Sequence, residues 1–249
     1  LRKRDMRLIT TFHHARNLQR YTELMKEDQF DGNQRVNSLS HYPLFEGMPP
    51  ASDDLELRLL YGKLPEARWL KEIWLAKLKE VIDKYHPDMI WFDSWLDQIP
   101  EDVRKEFCAY YLTEAAARDQ EVVILRKQDD LPIDFTVLDH EKSRMSGASE
   151  HVWMTDDTIS KGSWCYTDDL QIKPAADIIH ALADTVAKNG IVLLNISPMA
   201  DGSIPDDQRR TLLQIGEWMK VNGEGIYGTS CWHIFGEGPT RAKEGYFND

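Results

Sequence analysis

The chain has 249 residues, which suits one large domain, and its formal net charge of −12 disfavours phosphate backbones and anionic lipid surfaces as partners. Its three cysteines, Cys108, Cys165 and Cys231, lie too far apart to form a cysteine motif typical of a structural zinc site. No apolar run reaches the roughly 20 residues that a membrane-spanning helix needs.

Short apolar strands alternate with amphipathic helices along the chain. The first strand is predicted at residues 6–12, and a long polar loop follows over residues 28–54. The later predicted strands cover residues 88–93, 121–125 and 191–196, and the predicted helices cover residues 65–85, 103–118, 175–188 and 206–221. Each predicted helix repeats its apolar positions with the period of an amphipathic helix.

This alternation predicts an α/β fold with a mainly parallel sheet, because parallel strands need helical crossovers. A (β/α)8-like barrel fits the chain length, but only four strands stand out. We therefore expect several weak strands and a barrel that is incomplete at its N-terminus. Residues 1–229 are predicted to form the barrel part, and residues 230–249 to begin a connection to a further domain.

Polar residues stand at the ends of the four predicted strands: His13 and His14, Asp93 with Trp91 and Trp95 beside it, Arg126 and Lys127, and Asn195. The carboxyl ends of parallel strands meet at one rim, where α/β enzymes carry their chemistry. A carboxylate, imidazoles, a cation and indole rings at this rim could bind and cleave a small polyol. The sequence contains no nucleophile elbow of serine hydrolases, no phosphate-binding glycine loop and no H-E-x-x-H helix.

Two longer stretches carry a family resemblance. Residues 85–93 read Tyr-His-Pro-Asp-Met-Ile-Trp-Phe-Asp, and residues 186–205 read Val-Ala-Lys-Asn-Gly-Ile-Val-Leu-Leu-Asn-Ile-Ser-Pro-Met-Ala-Asp-Gly-Ser-Ile-Pro. The first resembles the strand that presents the nucleophile in the α-L-fucosidases of glycoside hydrolase family 29. The second, together with residues 215–229, resembles the C-terminal signature of that family's barrel. The resemblance implies a retaining exo-α-L-fucosidase that hydrolyses terminal α-L-fucose from glycoconjugates or oligosaccharides through a covalent aspartyl intermediate.

The resemblance assigns Asp93 as the nucleophile, which must be ionised to attack the anomeric carbon. A helix cap is the structural alternative for this aspartate. Lys127, at the end of the next strand, would keep Asp93 charged and bind a sugar hydroxyl, although it could equally be a solvated lysine. Arg126 should face the opposite way, because neighbouring strand residues alternate.

The acid/base residue is expected at Glu141, which resembles the acid/base loop of the family. This residue must protonate the departing oxygen and later deprotonate water, so we expect it on a flexible loop near the rim. Some relatives carry a rival glutamate after the tryptophan of a later motif, where this chain has Met154. Glu150 and Asp139 remain the alternatives.

The sugar pocket is expected to include the histidine pair and three tryptophans. His13 and His14 are similar to the fucose-binding histidines of the family, although two adjacent strand residues face opposite ways unless a bulge intervenes. Trp91, Trp95 and Trp153 are expected to pack against the C6 methyl group of fucose, with core packing as the alternative.

Other members of the family carry earlier barrel strands, with another histidine and a Glu-Trp pair, and a C-terminal β-sandwich. The resemblance implies no cofactor and no metal, a fucosylated glycan as the substrate, and a periplasmic, secreted or lysosomal location. Two other functions stay open. One is a non-catalytic fucose-binding fragment, and the other is a metal-dependent barrel hydrolase with His13, His14 and Asp93 as ligands.

Overall fold

The computed structural model describes residues 2–15, 66–93 and 96–236. The predicted loop over residues 28–54, Trp95 and the last part of the predicted connection, residues 237–249, lie outside the described residues. The chain divides into two compact units, Leu1–Thr136 and Val137–Asp249. Each unit contains parallel strands followed by helices.

The first unit contains three parallel strands that pair in chain order: β1 (Ile9–Phe12), β2 (Met89–Phe92) and β3 (Val123–Arg126). Each strand is shorter than its predicted range or shifted by a few residues. In β2 the last three residues are buried, as expected for a strand covered on both faces.

The helices of the first unit are α1 (Glu66–Trp69), a π-helical turn (Leu70–Leu75), α2 (Ala76–Tyr85) and α3 (Glu101–Ala117). The segment predicted as one helix over residues 65–85 is therefore helical, but it changes its hydrogen-bond period in the middle. Helix α2 ends at Tyr85 because His86 takes a left-handed conformation (φ 48°) and a proline follows.

Aromatic side chains form the centre of the core in this unit. The ring of Phe92 stacks on Trp74, with centroids 6.1 Å apart, and meets the edge of Phe107 at 5.1 Å. Phe107 in turn stacks on Tyr111. These four residues join β2, α3 and the π-helical turn, so the core fixes the helices against the strand that ends in Asp93.

The second unit contains the strand β4 (Thr136–Asp139), which begins at the boundary, and then β5 (Trp153–Thr158) and β6 (Gly190–Asn195). These strands are also parallel and pair in chain order. The helices α4 (Ala175–Ala187) and α5 (Asp206–Asn222) follow β5 and β6. The strands β4 and β5 were not among the four predicted strands and are two of the weak strands that we expected for a barrel.

Three helices begin directly after a proline. Pro100, Pro174 and Pro205 precede α3, α4 and α5, with φ angles of −51°, −55° and −54°. Proline suits this position because it lacks the N–H that a helix interior needs and because it prevents the helix from extending backward. Acidic residues in the first turn of each helix then interact favourably with the helix dipole.

The start of β5 packs tightly against the start of β6. The Trp153 side chain is buried, and its indole N–H donates to the carbonyl of Lys188 at 2.9 Å. Gly190 lies against this ring, so closely that a Cβ atom there would come within 2.5 Å of Trp153 Cε2. The Lys188 ammonium group is fully buried and pairs with Asp184 at 2.8 Å. The region around the starts of β5 and β6 is therefore closely packed and contains a buried ion pair.

No helix within the described residues combines the length and the apolar character that crossing a membrane requires.

Candidate active site

The register of the first three strands brings one polar residue from each to the same level. Phe12, Phe92 and Arg126 lie side by side at the ends of β1, β2 and β3. The residues that follow them are His13, Asp93 and Lys127. The Asp93 N–H donates to the carbonyl of Phe12 at 3.3 Å, which continues the ladder between β1 and β2 by one step. The three polar side chains therefore meet at the carboxyl edge of these strands.

Asp93 is held from both sides. Its Oδ2 atom lies 2.7 Å from Nε2 of His13, and its Oδ1 atom lies 2.8 Å from the Nζ atom of Lys127. The Asp93 side chain is 20% exposed, that of Lys127 is 8% exposed, and that of His13 is 53% exposed. The carboxylate is thus sheltered but reachable, and its orientation is fixed by two donors from neighbouring strands.

These partners keep Asp93 ionised. Burial alone would raise the pKa of Asp93, but the hydrogen bond from His13 and the positive charge of Lys127 outweigh burial and lower this pKa well below its ordinary value. A carboxylate that is charged, oriented and partly exposed can act as a nucleophile.

Trp91 lies one step below this cluster, on the same face of β2 as Asp93, because side chains alternate along a strand. Its ring lies 5.3 Å from the Lys127 ammonium group, a cation–π contact. The Trp91 indole nitrogen is buried and has no hydrogen-bond partner among the described residues. The Lys127 ammonium group therefore contacts both the Trp91 ring and the Asp93 carboxylate.

His14 faces away from the cluster. Its Nε2 atom donates to the carbonyl of Trp74 at 3.0 Å, and its ring stacks on the Trp74 indole with centroids 5.8 Å apart. Burial among these rings lowers the pKa of His14 to about 4, so the imidazole is neutral near pH 7. The structure thus brings His13 to Asp93 and places His14 against the π-helical turn, in line with the expected alternation.

Glu141 follows the carboxyl end of β4, in a turn that is attached to β5. The residues on either side of it are anchored, since the His140 N–H donates to the Met154 carbonyl at 2.8 Å and the Lys142 N–H donates to the Asp156 carbonyl at 2.9 Å. Glu141 is half-buried. The acid/base candidate therefore lies on an anchored turn and not on the flexible loop that we expected.

The two alternative acid/base residues differ from Glu141 in position. Asp139 is buried, and its Oδ1 atom accepts a hydrogen bond from the Asp156 N–H at 3.1 Å. Glu150 is exposed and precedes the amino end of β5, away from the edge at which parallel strands carry chemistry. Glu141 alone among the three is both partly accessible and placed just after a carboxyl strand end.

The structure does not place Trp153 near a strand end that could hold a sugar. Trp153 is the first residue of β5 and is buried against Gly190. We therefore leave it out of the proposed sugar pocket. Asn195 ends β6, and its amide donates to the carbonyl of Trp164 at 3.0 Å, so this strand-end residue has a structural partner. Trp95 lies outside the described residues.

No group of three or more histidine, cysteine, aspartate or glutamate side chains that could hold a metal ion occurs within the described parts of the chain. His13 and Asp93 touch, but the ring of His14 points toward Trp74. The three ligands of the metal-dependent alternative are therefore not brought together.

The family model "Alpha-L-fucosidase" matches residues 1–224 of this chain. An α-L-fucosidase of Dictyostelium discoideum is 31% identical over 181 residues, which are 70% of this chain and 39% of that protein. Tissue α-L-fucosidase of Rattus norvegicus is 30% identical over 171 residues, which are 66% of this chain and 37% of that protein. The chain thus spans less than two fifths of the length of these relatives.

Solved structures of α-fucosidases are also similar to this chain. The Thermotoga maritima α-fucosidase in complex with fucose is 26% identical, with a TM-score of 0.55 over 66% of this chain and 36% of that one. The same enzyme with a mechanism-based inhibitor is 28% identical, with a TM-score of 0.56. These similarities confirm the prediction of an α/β fold that is part of a (β/α)8-like barrel. The chain belongs to the α-L-fucosidase family, glycoside hydrolase family 29.

Proposed function

We propose that the protein is a retaining exo-α-L-fucosidase that removes terminal α-L-fucose from glycoconjugates or oligosaccharides through a covalent intermediate on Asp93. The family membership supports fucose release as the activity and a fucosylated glycan as the substrate. The observation that carries the assignment of Asp93 as the nucleophile is its geometry, a charged carboxylate oriented by His13 and Lys127, and a covalent intermediate on this residue implies retention.

In the first step, Asp93 attacks the anomeric carbon while the bond from that carbon to the glycosidic oxygen breaks. A proton from Glu141 passes to the departing oxygen, so the leaving group departs as an alcohol. Asp93 loses its negative charge as the ester forms. Lys127 and His13 orient the attacking carboxylate before this step.

In the second step, Glu141 removes a proton from water, and the water oxygen attacks the anomeric carbon from the opposite face. The ester bond to Asp93 breaks, and fucose leaves with its original α configuration. Two inversions at the same carbon produce this retention.

The sugar is proposed to contact His13, Lys127 and Trp91. His13 uses Nε2 for Asp93, and its exposed side is available to a sugar hydroxyl. The Trp91 ring lies 5.3 Å from the Lys127 ammonium group and is proposed to pack against the C6 methyl group of fucose.

Replacement of the nucleophile tests this proposal. In the complete protein, Asp93→Gly should lower turnover of an aryl α-L-fucoside by several orders of magnitude, because the covalent route is lost. Azide should then attack the substrate directly and yield β-fucosyl azide, with inverted geometry. Asp119→Asn, at an exposed aspartate outside the site, is the matched control and should keep wild-type turnover.

The acid/base residue has a complementary test. Glu141→Ala should still form the ester from an activated aryl fucoside, and azide should then give α-fucosyl azide, with retained geometry. NMR of the azide products distinguishes the two roles. Wild-type turnover by Asp93→Gly, or β-fucose as the first product of the wild-type protein, would refute the retaining mechanism. Fucose binding without any turnover would identify a non-catalytic binding protein instead.

A further inference from the structure

Lys142 has an unusual backbone conformation for its residue type. The described non-glycine residues with positive φ are Asp5, His86, Asp119, Lys142 and Asn189. Aspartate, asparagine and histidine are enriched in the left-handed region, where other side chains meet steric strain. Lys142, with a φ angle of 49°, is the one residue of this set whose type is not enriched in the left-handed region. A strained residue beside a proposed catalytic group calls for a functional explanation.

The Lys142 side chain joins the turn after β4 to the loop after β5. Its Nζ atom donates to the carbonyl of Gly162 at 3.2 Å and lies 4.4 Å from the centre of the Trp164 ring. Its backbone N–H donates to the carbonyl of Asp156 in β5. One residue therefore attaches the turn that carries Glu141 at two separate places.

The loop that receives the ammonium group is itself anchored. The carbonyl of Trp164 accepts hydrogen bonds from the Asn195 amide and the Ser197 hydroxyl, each at 3.0 Å. Both donors come from the carboxyl end of β6 and the residues that follow it. Through Lys142, the turn after β4 is thus connected to structure at the ends of both β5 and β6.

We propose that Lys142 is a positioning residue for Glu141, which holds the turn of the acid/base group against the anchored Trp164 loop. This inference rests on the proposed function, in which Glu141 donates the proton to the leaving group. A misplaced Glu141 slows the steps in which it donates or removes a proton, and in the ester-forming step the loss grows as the leaving group becomes poorer. Lys142 should therefore matter most for substrates with poor leaving groups.

The variant Lys142→Gly separates positioning from folding. Glycine adopts positive φ without strain, so the turn keeps its backbone conformation while the link to Trp164 is lost. In the complete protein, kcat for a natural fucoside should fall by about 10- to 100-fold, a part of the roughly 10²–10⁴-fold contribution of a general acid. The step that forms the ester from an activated aryl fucoside should change by less than about threefold, because that leaving group needs little protonation.

Two controls accompany this variant. Lys142→Arg keeps a cation that can lie over the Trp164 ring, so this variant should keep most of the wild-type activity. Asp119→Gly makes the same backbone change at an exposed left-handed residue that lies in the other unit. It should leave both substrates unaffected. Equal losses in the ester-forming step of both substrates, or no loss on the natural fucoside, would overturn the positioning role.

Hydrogen exchange measured by mass spectrometry tests the link without turnover. Lys142→Gly should speed amide exchange in residues 139–144 and 159–173, whereas Asp119→Gly should not. Unchanged exchange in both segments would overturn the proposal. A wild-type protein that fails to cleave any fucoside would refute the proposed function, and the exchange result would still decide whether Lys142 links the two segments.

Discussion

Gly190→Ala should destabilise the second unit, although the change adds a single methyl group. The new Cβ atom would lie 2.5 Å and 2.6 Å from two atoms of the Trp153 ring and 2.6 Å from Cγ2 of Thr185. Contacts this short cannot persist, so at least one neighbour must move. Trp153 resists movement because it is buried and its indole is hydrogen-bonded to the carbonyl of Lys188.

Overpacking of this kind costs about 1–3 kcal/mol, and the rigid Trp153 ring places the expected cost at the upper end of that range. For a chain of this size, each kcal/mol lowers Tm by about 2–4 °C. Gly216→Ala is the matched control. Gly216 lies in α5, and its added Cβ would have no neighbour within 4 Å. Alanine there should raise stability by about 0.5–1 kcal/mol through its higher helix propensity.

Thermal unfolding followed by circular dichroism would measure both variants. The two glycine-to-alanine changes should shift Tm in opposite directions. In a Trp153→Phe background, Gly190→Ala should cost less, because the smaller ring leaves room for the methyl group. A Gly190→Ala variant as stable as wild type, while Gly216→Ala behaves as expected, would refute the packing argument.

Three further predictions concern ionisation and hydrogen bonding. Burial raises the pKa of Asp130 to about 6, so the folded state holds this proton more tightly than the unfolded state and stability falls as pH rises from about 4 to 6. Asp130→Asn should therefore raise the free energy of unfolding at pH 7 by up to about 3 kcal/mol but change little at pH 4, as denaturant titrations at both pH values would measure. Lys127→Met should raise the pKa of Asp93 and so shift the acid limb of the kcat/KM profile to higher pH. The same change should lower kcat on the order of 10²-fold. An acid limb that stays at the same pH would contradict this role of Lys127. Tyr111→Phe should lower the free energy of unfolding by about 1 kcal/mol, because the buried hydroxyl donates to the Pro87 carbonyl at 2.9 Å, and an unchanged urea midpoint would argue against that bond.

The strand that precedes Asp93 could be predicted because its residues, Met89–Phe92, are all apolar. Strands such as β2 and β6 are recognisable from apolar runs with turn signals at their ends. The position of Asp93 follows directly, since a polar residue after a buried strand lies at the carboxyl edge. The pairing of Asp93 with Lys127 was one of two alternatives, the other being a solvated lysine, because adjacent parallel strands end at the same rim.

Other features left no such pattern in the sequence. The strand β5 reads Trp-Met-Thr-Asp-Asp-Thr. Its buried polar side chains depend on hydrogen bonds to neighbouring segments, as from the Thr155 hydroxyl to the His140 carbonyl. The π-helical turn keeps the apolar spacing of a helix, so it could not be distinguished from one. The left-handed Lys142 was equally hidden, because lysine has no preference for that conformation.

The attachment of Asp93 to two strands has a consequence for the proposed reaction. Asp93 forms a bridge between the ends of β1 and β3, and that bridge depends on its negative charge. In the proposed mechanism the charge disappears when the ester forms, so Lys127 loses its counter-ion until water releases the sugar. The ends of β1 and β3 would then be linked through Asp93 between turnovers, and this link would weaken while the ester is present. The covalent intermediate would be the least rigid state of this edge, with hydrolysis of the ester restoring both the nucleophile and the bridge between the strands.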